Sequence, residues 1–376
     1  MKSTIQALIH ELEAPALSRK LGSGWLSGVF ALLCGLLSLA GVLILHYPDL
    51  FTVPEIRNQA NVSWVRSLIM LVISTGFMLA CISMILRQNK ALGLSSSILI
   101  VLALLLGGAA TQKSAEFSGN IYFGLDWFVL NLLLTGLLFL PLERMFRRVS
   151  QSVFRFEWRE DLLYFLISSI FVQSLTYLSM LPAMTILSFG GLTTLQGWVA
   201  AQPVWLQFIE IMFLTDFVQY WVHRVFHQVP FLWRFHAVHH SAQAMDWLAG
   251  SRMHVMEIIL LRGITIIPMY VLGFSETAIY AYILVVYLYA TYVHANLKFD
   301  IEWLKPVLVT PRFHHWHHGI EKEAVDVNFA VHFPIFDRLF GTYYMPDKKW
   351  PSGYGVGGHP VPSGYLKQFL YPFSRK

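Results

Sequence analysis

Residues 216–240, DFVQYWVHRVFHQVPFLWRFHAVHH, join the end of an apolar run to five histidines packed into eighteen residues from His223 onward. A second burst, His314-His315-Trp316-His317-His318, follows beyond a further apolar stretch. Eleven of the fifteen histidines fall between His223 and His318, where even scatter would place about four. His223 and His227 are four apart, so on a helix they project from one face. His236, His239 and His240 are offset 0, 3 and 4, and His314, His317 and His318 repeat those offsets, which puts each trio on one helical face. These eight, with His294 at the end of an apolar run and His254 as natural additions, predict a site for two metal ions. His315, at offset 1, faces away from its neighbours. His10, His46, His332 and His359 read as interfacial or hydrogen-bonded.

Imidazole binds zinc, iron, copper and nickel alike. A structural zinc site closes with four ligands, commonly including cysteine, and neither burst contains one. An excess of neutral nitrogen donors that leaves a position open on each metal favours iron. Metal-bound imidazoles need their second nitrogen oriented. Asp216, two turns before His223 on the same face, and Asp246, Glu257 and Asp326 near the bursts, are candidates for that task.

Outward from this stretch, 56% hydrophobic residues, 13% charged residues and a mean hydropathy of +0.54 describe a membrane protein. The net charge of +5 does not indicate a nucleic-acid partner, because the basic residues lie scattered in short loops and form no patch. Apolar runs near the ~20 residues a bilayer requires cover Trp25–His46, Ser67–Leu86, Leu94–Ala110, Tyr122–Leu142, Leu162–Leu187 and Trp205–Trp221. The first is too long for a signal peptide and reads as a retained span. Ile258–Leu272 and Ala278–Val293 read as two short spans or one hairpin. Cys34 and Cys81 sit inside apolar runs as small hydrophobes, not as a disulfide.

Beyond Lys298 the chain turns polar, aromatic and proline-rich, as in a peripheral cap. With the N-terminus inside, 23 of the 27 Lys and Arg fall on that side, which predicts both termini and the histidine bursts to be cytoplasmic. The expected architecture is all-α: a polytopic membrane helix bundle with a cytoplasmic helical cap holding a histidine-rich dimetal site. Its expected division is a transmembrane region of about five spans (1–200), a catalytic domain (201–345) and a cytoplasmic tail (346–376).

DFVQYWVHRVFH, LWRFHAVHHS, RMHVMEI, TPRFHHWHHG and DVNFAVHFPIFDRLFGTYY, in this order between Phe208 and Tyr344, resemble the fatty acid hydroxylase and sterol desaturase superfamily of membrane di-iron enzymes. The resemblance implies that His223, His227, His236, His239, His240, His314, His317 and His318 hold the metals. It also points to His294, with His254 as the candidate tenth ligand. Asn328 and residues 337–342 match the family's closing signature and are expected to support the ligands through packing.

The implied activity is oxidation of an unactivated C–H bond of a fatty acyl, sterol or ether lipid by O2 at two iron ions. Hydroxylation is preferred and desaturation is the alternative on the same site. No haem, flavin or iron–sulfur motif is visible, so electrons must come from a separate electron-transfer protein or a reduced pterin. A metal transporter or metal store fits less well, because transporters place ligands near the bilayer midplane on broken helices, whereas these histidines lie at span ends and in loops.

Overall fold

The computed structural model describes residues 2–59, 61–113, 122–190, 192–299, 303–357 and 361–374, and His359 lies outside them. The described residues form helices and loops with no strand, apart from isolated bridges pairing Arg147 with Leu297 and Gly319 with Tyr354. The chain divides into two compact units, Met1–Leu132 with Ser169–Gln173, and Leu133–Ser168 with Ser174–Lys376.

In the first unit, α1 (Lys2–Leu12) precedes three apolar helices, α2 (Trp25–His46), α3 (Val62–Leu86) and α4 (Ala91–Leu105). Without water to drive them together, helices in a bilayer associate through close backbone approach at small residues. A side chain at Gly28 would collide with Ser83 Oγ at 2.5 Å, and one at Gly76 with Cys34 Cβ at 2.7 Å. Ser83 Oγ donates to the Gly24 carbonyl (2.9 Å) and Ser96 Oγ to that of Ala31 (2.6 Å), so the contact surfaces also satisfy their hydroxyls. Leu71, Phe77 and Leu105 remain exposed on the outer surfaces, as lipid-facing residues do. Both cysteines are free. At the end of α1, Glu11 pairs with buried Arg87 and accepts from Asn89 (3.0 Å).

Among the described residues, five helices are long and apolar enough to cross a membrane: Trp25–His46, Val62–Leu86, Ala91–Ala110, Leu125–Met145 and Glu276–His294. A sixth is reached only if Trp158–Ile170 and Val172–Ser188, bent by 68° at their junction, count as one span. The continuous span expected over 162–187 is therefore broken at Phe171. The expected span 205–221 lies inside a longer helix that is not among the five; within that stretch it carries Gln207, Glu210, Asp216 and Gln219. Of the pair expected over 258–293, only the second is long enough. The first is cut at Ile266, just ahead of Pro268, into Val255–Thr265 and Ile267–Val271.

In chain order after α4, the helices that matter for the site are α5 (Leu125–Met145), α6 (Trp158–Ile170), α7 (Val172–Ser188), α8 (Val204–Gln228), α9 (Pro230–His240), α10 (Val255–Thr265), α11 (Glu276–His294) and α12 (Pro311–His317). Helix α8 is the axis of the second unit. Its buried face reads Gln207, Ile211, Thr215, Asp216, Tyr220, His223 and Phe226, a helical period that leads from apolar packing to the first histidine. Ile211 packs with Met269, Ala278 and Tyr282, and Tyr220 with Val293, Phe313, Phe329 and Phe336. Pro230 ends α8 and opens α9: Val229 is extended, as the residue before proline prefers, and proline at the first helical position loses no needed hydrogen bond.

Candidate metal centre

The elbow at Pro230 folds α9 back beside the end of α8, and α11 and α12 deliver the remaining histidines. Nine imidazoles converge in two groups. One contains His223, His227, His236, His240 and His317; the other contains His239, His294, His314 and His318, with the candidate ligand nitrogens of each group within 4.8 Å of one another. The trios expected to act as single faces are each divided. His236 and His240 enter the first group while His239 enters the second; His314 and His318 enter the second while His317 crosses to the first. In each trio the i, i+4 pair works together and the i+3 member serves the other group, so α9 and α12 each bridge the two.

The second ring nitrogen of most of these histidines is committed to the protein. His223 Nδ1 donates to the Phe329 carbonyl (2.8 Å), His239 Nδ1 to Arg252 (3.0 Å), His294 Nδ1 to Ala290 (2.7 Å) and His317 Nδ1 to Val327 (2.8 Å). His236 Nδ1 meets Glu257 Oε1 at 2.5 Å, and His227 Nδ1 meets Asp326 Oδ1 at 3.1 Å. A carbonyl can only accept, so these Nδ1 atoms carry the proton and the Nε2 atoms present lone pairs.

Those lone pairs face one another. His223 and His236 Nε2 are 3.0 Å apart, His236 and His240 3.1 Å, His239 and His294 3.2 Å, His294 and His314 2.9 Å, and His314 and His318 3.2 Å. Nε2 of His227 and of His317 is buried with no hydrogen-bond partner. Burial first, and then mutual repulsion, hold the imidazoles of His236, His240, His314 and His318 well below their ordinary pKa, which keeps them neutral. Neutral donors aimed at a common point without protons between them repel unless a cation lies there, so the residues fit metal ions.

One group offers five imidazoles, more than the four of a closed zinc site, and the other offers four.

The other expected residues occupy different places. His254 is outside both groups: its Nδ1 caps α10 by accepting from Met256 N (3.1 Å), and its Nε2 lies 3.0 Å from the Phe369 carbonyl. Both nitrogens are thus occupied, which corrects its candidacy as a tenth ligand. Of the carboxylates, Glu257 and Asp326 touch histidines and the other two do not. Asp216 accepts from the backbone of Val331 (2.8 Å) and Phe333 (2.7 Å), pinning the segment whose Phe329 carbonyl holds His223. Asp246 is taken by Arg155 through contacts of 2.6 and 2.9 Å. That pair belongs to a buried charge network in which Asp161 joins Arg155 to Arg252, and Arg252 also reaches Glu157 at 2.6 Å.

Asn328 adopts the left-handed region (φ 58°), which asparagine tolerates. Its side chain donates to Phe313 (3.0 Å) and Tyr344 (2.7 Å) and so ties the closing segment to α12. His315 turns away from the nine, its Nδ1 2.6 Å from the Tyr354 hydroxyl.

Sequence reasoning had no means of finding the carbonyls of Phe329, Arg252, Ala290 and Val327, since any residue supplies one. It also missed Gly250, where an added Cβ would stand 2.9 Å from His294 Nδ1.

A sequence model of the fatty acid hydroxylase family matches residues 208–342, the segment that contains all nine converging histidines. The chain is 30% identical over 180 residues to ornithine lipid hydroxylase OlsE of Rhizobium tropici, covering 48% of this chain and 54% of that protein. It is 32% identical over 176 residues to alkylglycerol monooxygenase of Danio rerio, covering 46% and 37%. It is 27% identical over 165 residues to C-4 methylsterol oxidase erg25 of Schizosaccharomyces pombe, covering 41% and 52%. The matches span about half or less of the length of these relatives. No solved structure matches. Residues 208–342, which carry the two histidine groups, are thus the part of the chain that is similar to the fatty acid hydroxylase family.

Proposed function

We propose that this protein is a membrane-bound di-iron oxygenase that hydroxylates an unactivated C–H bond of a lipid. The observation that carries the reading is the pair of adjacent groups of buried, neutral imidazoles at the ends of α8 and α11. His223, His227, His236, His240 and His317 would hold one ion, and His239, His294, His314 and His318 the other. Two iron ions would supply the activation of O2 that an unactivated C–H bond requires. The net reaction takes the lipid, O2, two electrons and two protons to the hydroxylated lipid and water.

The chain's own residues provide the frame. Glu257 and Asp326 fix His236 and His227, and four carbonyls fix His223, His239, His294 and His317, so the donors are aligned before any ion arrives. Burial excludes water from the centre, which keeps the imidazoles neutral and limits wasteful side reactions.

A lipid substrate is supported by the site's position at the ends of long helices and by the names of the relatives, which act on an ornithine lipid, an alkylglycerol and a methylsterol. The excess of Lys and Arg on one side supports placing the site and both termini in the cytoplasm. We assign the two electrons to a separate electron-transfer protein or a reduced pterin. Desaturation would begin with the same hydrogen removal and differ only in losing a second hydrogen.

The test is iron analysis of the purified full chain together with lipid mass spectrometry of cells with and without the gene. Two bound iron ions and an O2-dependent gain of one oxygen on a host lipid are expected, both abolished by His239→Ala or His317→Ala. A loss of two hydrogens would make the enzyme a desaturase. Protein without iron and an unchanged lipid profile would refute the reading.

A further inference from the structure

Beside the metal centre the second unit contains a cleft that the oxidation chemistry does not use. It lies at the end of α5 and is lined by Arg144, Arg147, Gln151, Ser152, Trp247 and Asn296 among others; it is shallow, with about 20 Å³ of cavity at its floor, and it opens to the surface. Its walls are built by specific bonds. Glu143 accepts from the backbone of Trp247 (2.7 Å) and Asn296 (2.8 Å), joining the loop after α9 to the segment after α11. The Asn296 side chain exchanges hydrogen bonds with Val149 N and O (2.9 and 2.8 Å), and Gln151 Nε2 donates to Met245 O (2.9 Å).

The charge of the cleft is unbalanced. Both lining carboxylates are engaged, Asp246 with Arg155 and Glu143 with two backbone N–H groups. Arg144 and Arg147 are exposed, and among the described residues neither forms an ion pair. Arg144 reaches only the Gln151 carbonyl, at 3.4 Å. Two unpaired guanidiniums over a polar cleft match the planar oxygens of a phosphate or carboxylate.

The surroundings say where that anion comes from. α5 is long and apolar enough to span a membrane, and the arginines stand at its last turn and just beyond. The segment that follows exposes Met145 (69%), Val149 (46%), Val153 (36%) and Phe156 (61%) between the basic residues. Exposed apolar side chains alternating with arginine are the composition of a segment seated at the bilayer surface, at headgroup depth. A rule of basic residues at cytoplasmic span ends would ask only for exposed charge; it would not ask that the charges line a cleft.

We propose that this cleft binds the anionic headgroup of a bilayer lipid, with Arg144 and Arg147 on its phosphate or carboxylate and Gln151 and Asn296 at its polar wall. None of the nine histidines lines the cleft, so its occupancy does not depend on the oxygenase reading.

The test measures lipid retained by the purified full chain in detergent, by native mass spectrometry, after exposure to phosphatidylglycerol or phosphatidylcholine. Preference for phosphatidylglycerol is expected at roughly thirtyfold for two basic side chains at an anionic surface. It should vanish in Arg144→Gln/Arg147→Gln, weaken in Arg144→Lys/Arg147→Lys, which keeps the charge but loses the planar donors, and persist in Lys348→Gln/Lys349→Gln, which removes equal charge from another exposed segment. Unchanged metal content serves as the check on folding. Should the double glutamine variant aggregate, each single variant is expected to lose about fivefold. No preference in the native protein, or preference retained without the arginines, would overturn the proposal. Displacement by inorganic phosphate at the concentration of the lipid would also overturn it, in favour of a soluble anion.

Discussion

Gly250→Ala isolates one metal group without touching a ligand. Gly250 lies in a short helical turn, Ala249–Ser251, and its φ is not in the left-handed region, so alanine strains no backbone there. Its Cβ would stand 2.9 Å from His294 Nδ1, 3.1 Å from Cγ and 3.4 Å from Cε1. The ring must retreat by about 0.5 Å to restore ordinary contact, which is the tolerance within which a ligand constellation has to be held. It has no free direction, because Nδ1 is bonded to the Ala290 carbonyl at 2.7 Å and Nε2 stands 2.9 Å from His314 Nε2 and 3.2 Å from His239 Nε2.

Loss of a supporting contact of this kind lowers metal affinity by about 10–100-fold, or about 1.4–2.8 kcal/mol. His294 belongs only to the four-histidine group, so that ion should be lost first. Titration of the loaded protein with a chelator, followed by metal analysis, should show one ion released at about 10–100-fold lower chelator and the other nearly unmoved. Both ions released at the native midpoints would refute the assignment of His294 and the role of the glycine.

Glu257→Gln leaves His236 Nδ1 without its carboxylate and is expected to weaken the five-histidine group instead, again by about 10–100-fold; the same titration reads it. Arg252→Met leaves Glu157 without its cation and Asp161 with Arg155 alone, and should cost about 3 kcal/mol of stability, visible as a lowered denaturation midpoint in detergent even after the metals are stripped. Acidification should destabilise the metal-free protein. The depressed imidazoles of His236, His240, His314 and His318 bind fewer protons folded than unfolded, so their contribution is complete above about pH 6.5 and is lost as pH falls below it. A melting temperature that rises between pH 7 and pH 5 would contradict this.

The parts of the structure legible in the sequence are those carried by local period. Apolar runs at bilayer length became α2, α3, α4 and α5, and the histidine offsets located a site at the end of α8, in α9 and in α12. Offsets describe one helix at a time. They could not say that His239 and His317 cross to the opposite group, because that depends on how α9 and α12 face each other.

Asp216 shows a second limit. Its spacing of seven from His223 placed it on the right face, but the closing segment threads back along α8 and presents the N–H groups of Val331 and Phe333, which take both carboxylate oxygens. His254 fails for a related reason, since a helix start needs a cap and the imidazole is already spent there. Gly250 and the four orienting carbonyls leave no side-chain pattern at all.

The crossing of the trios has a consequence for descent. Because α9 and α12 each carry donors for both groups, a slide or rotation of either helix moves imidazoles in both at once. Drift in the packing of these helices therefore cannot erode one half of the centre and spare the other. Helices α8 and α11, by contrast, each serve one group, so a shift in either of them can adjust that group alone.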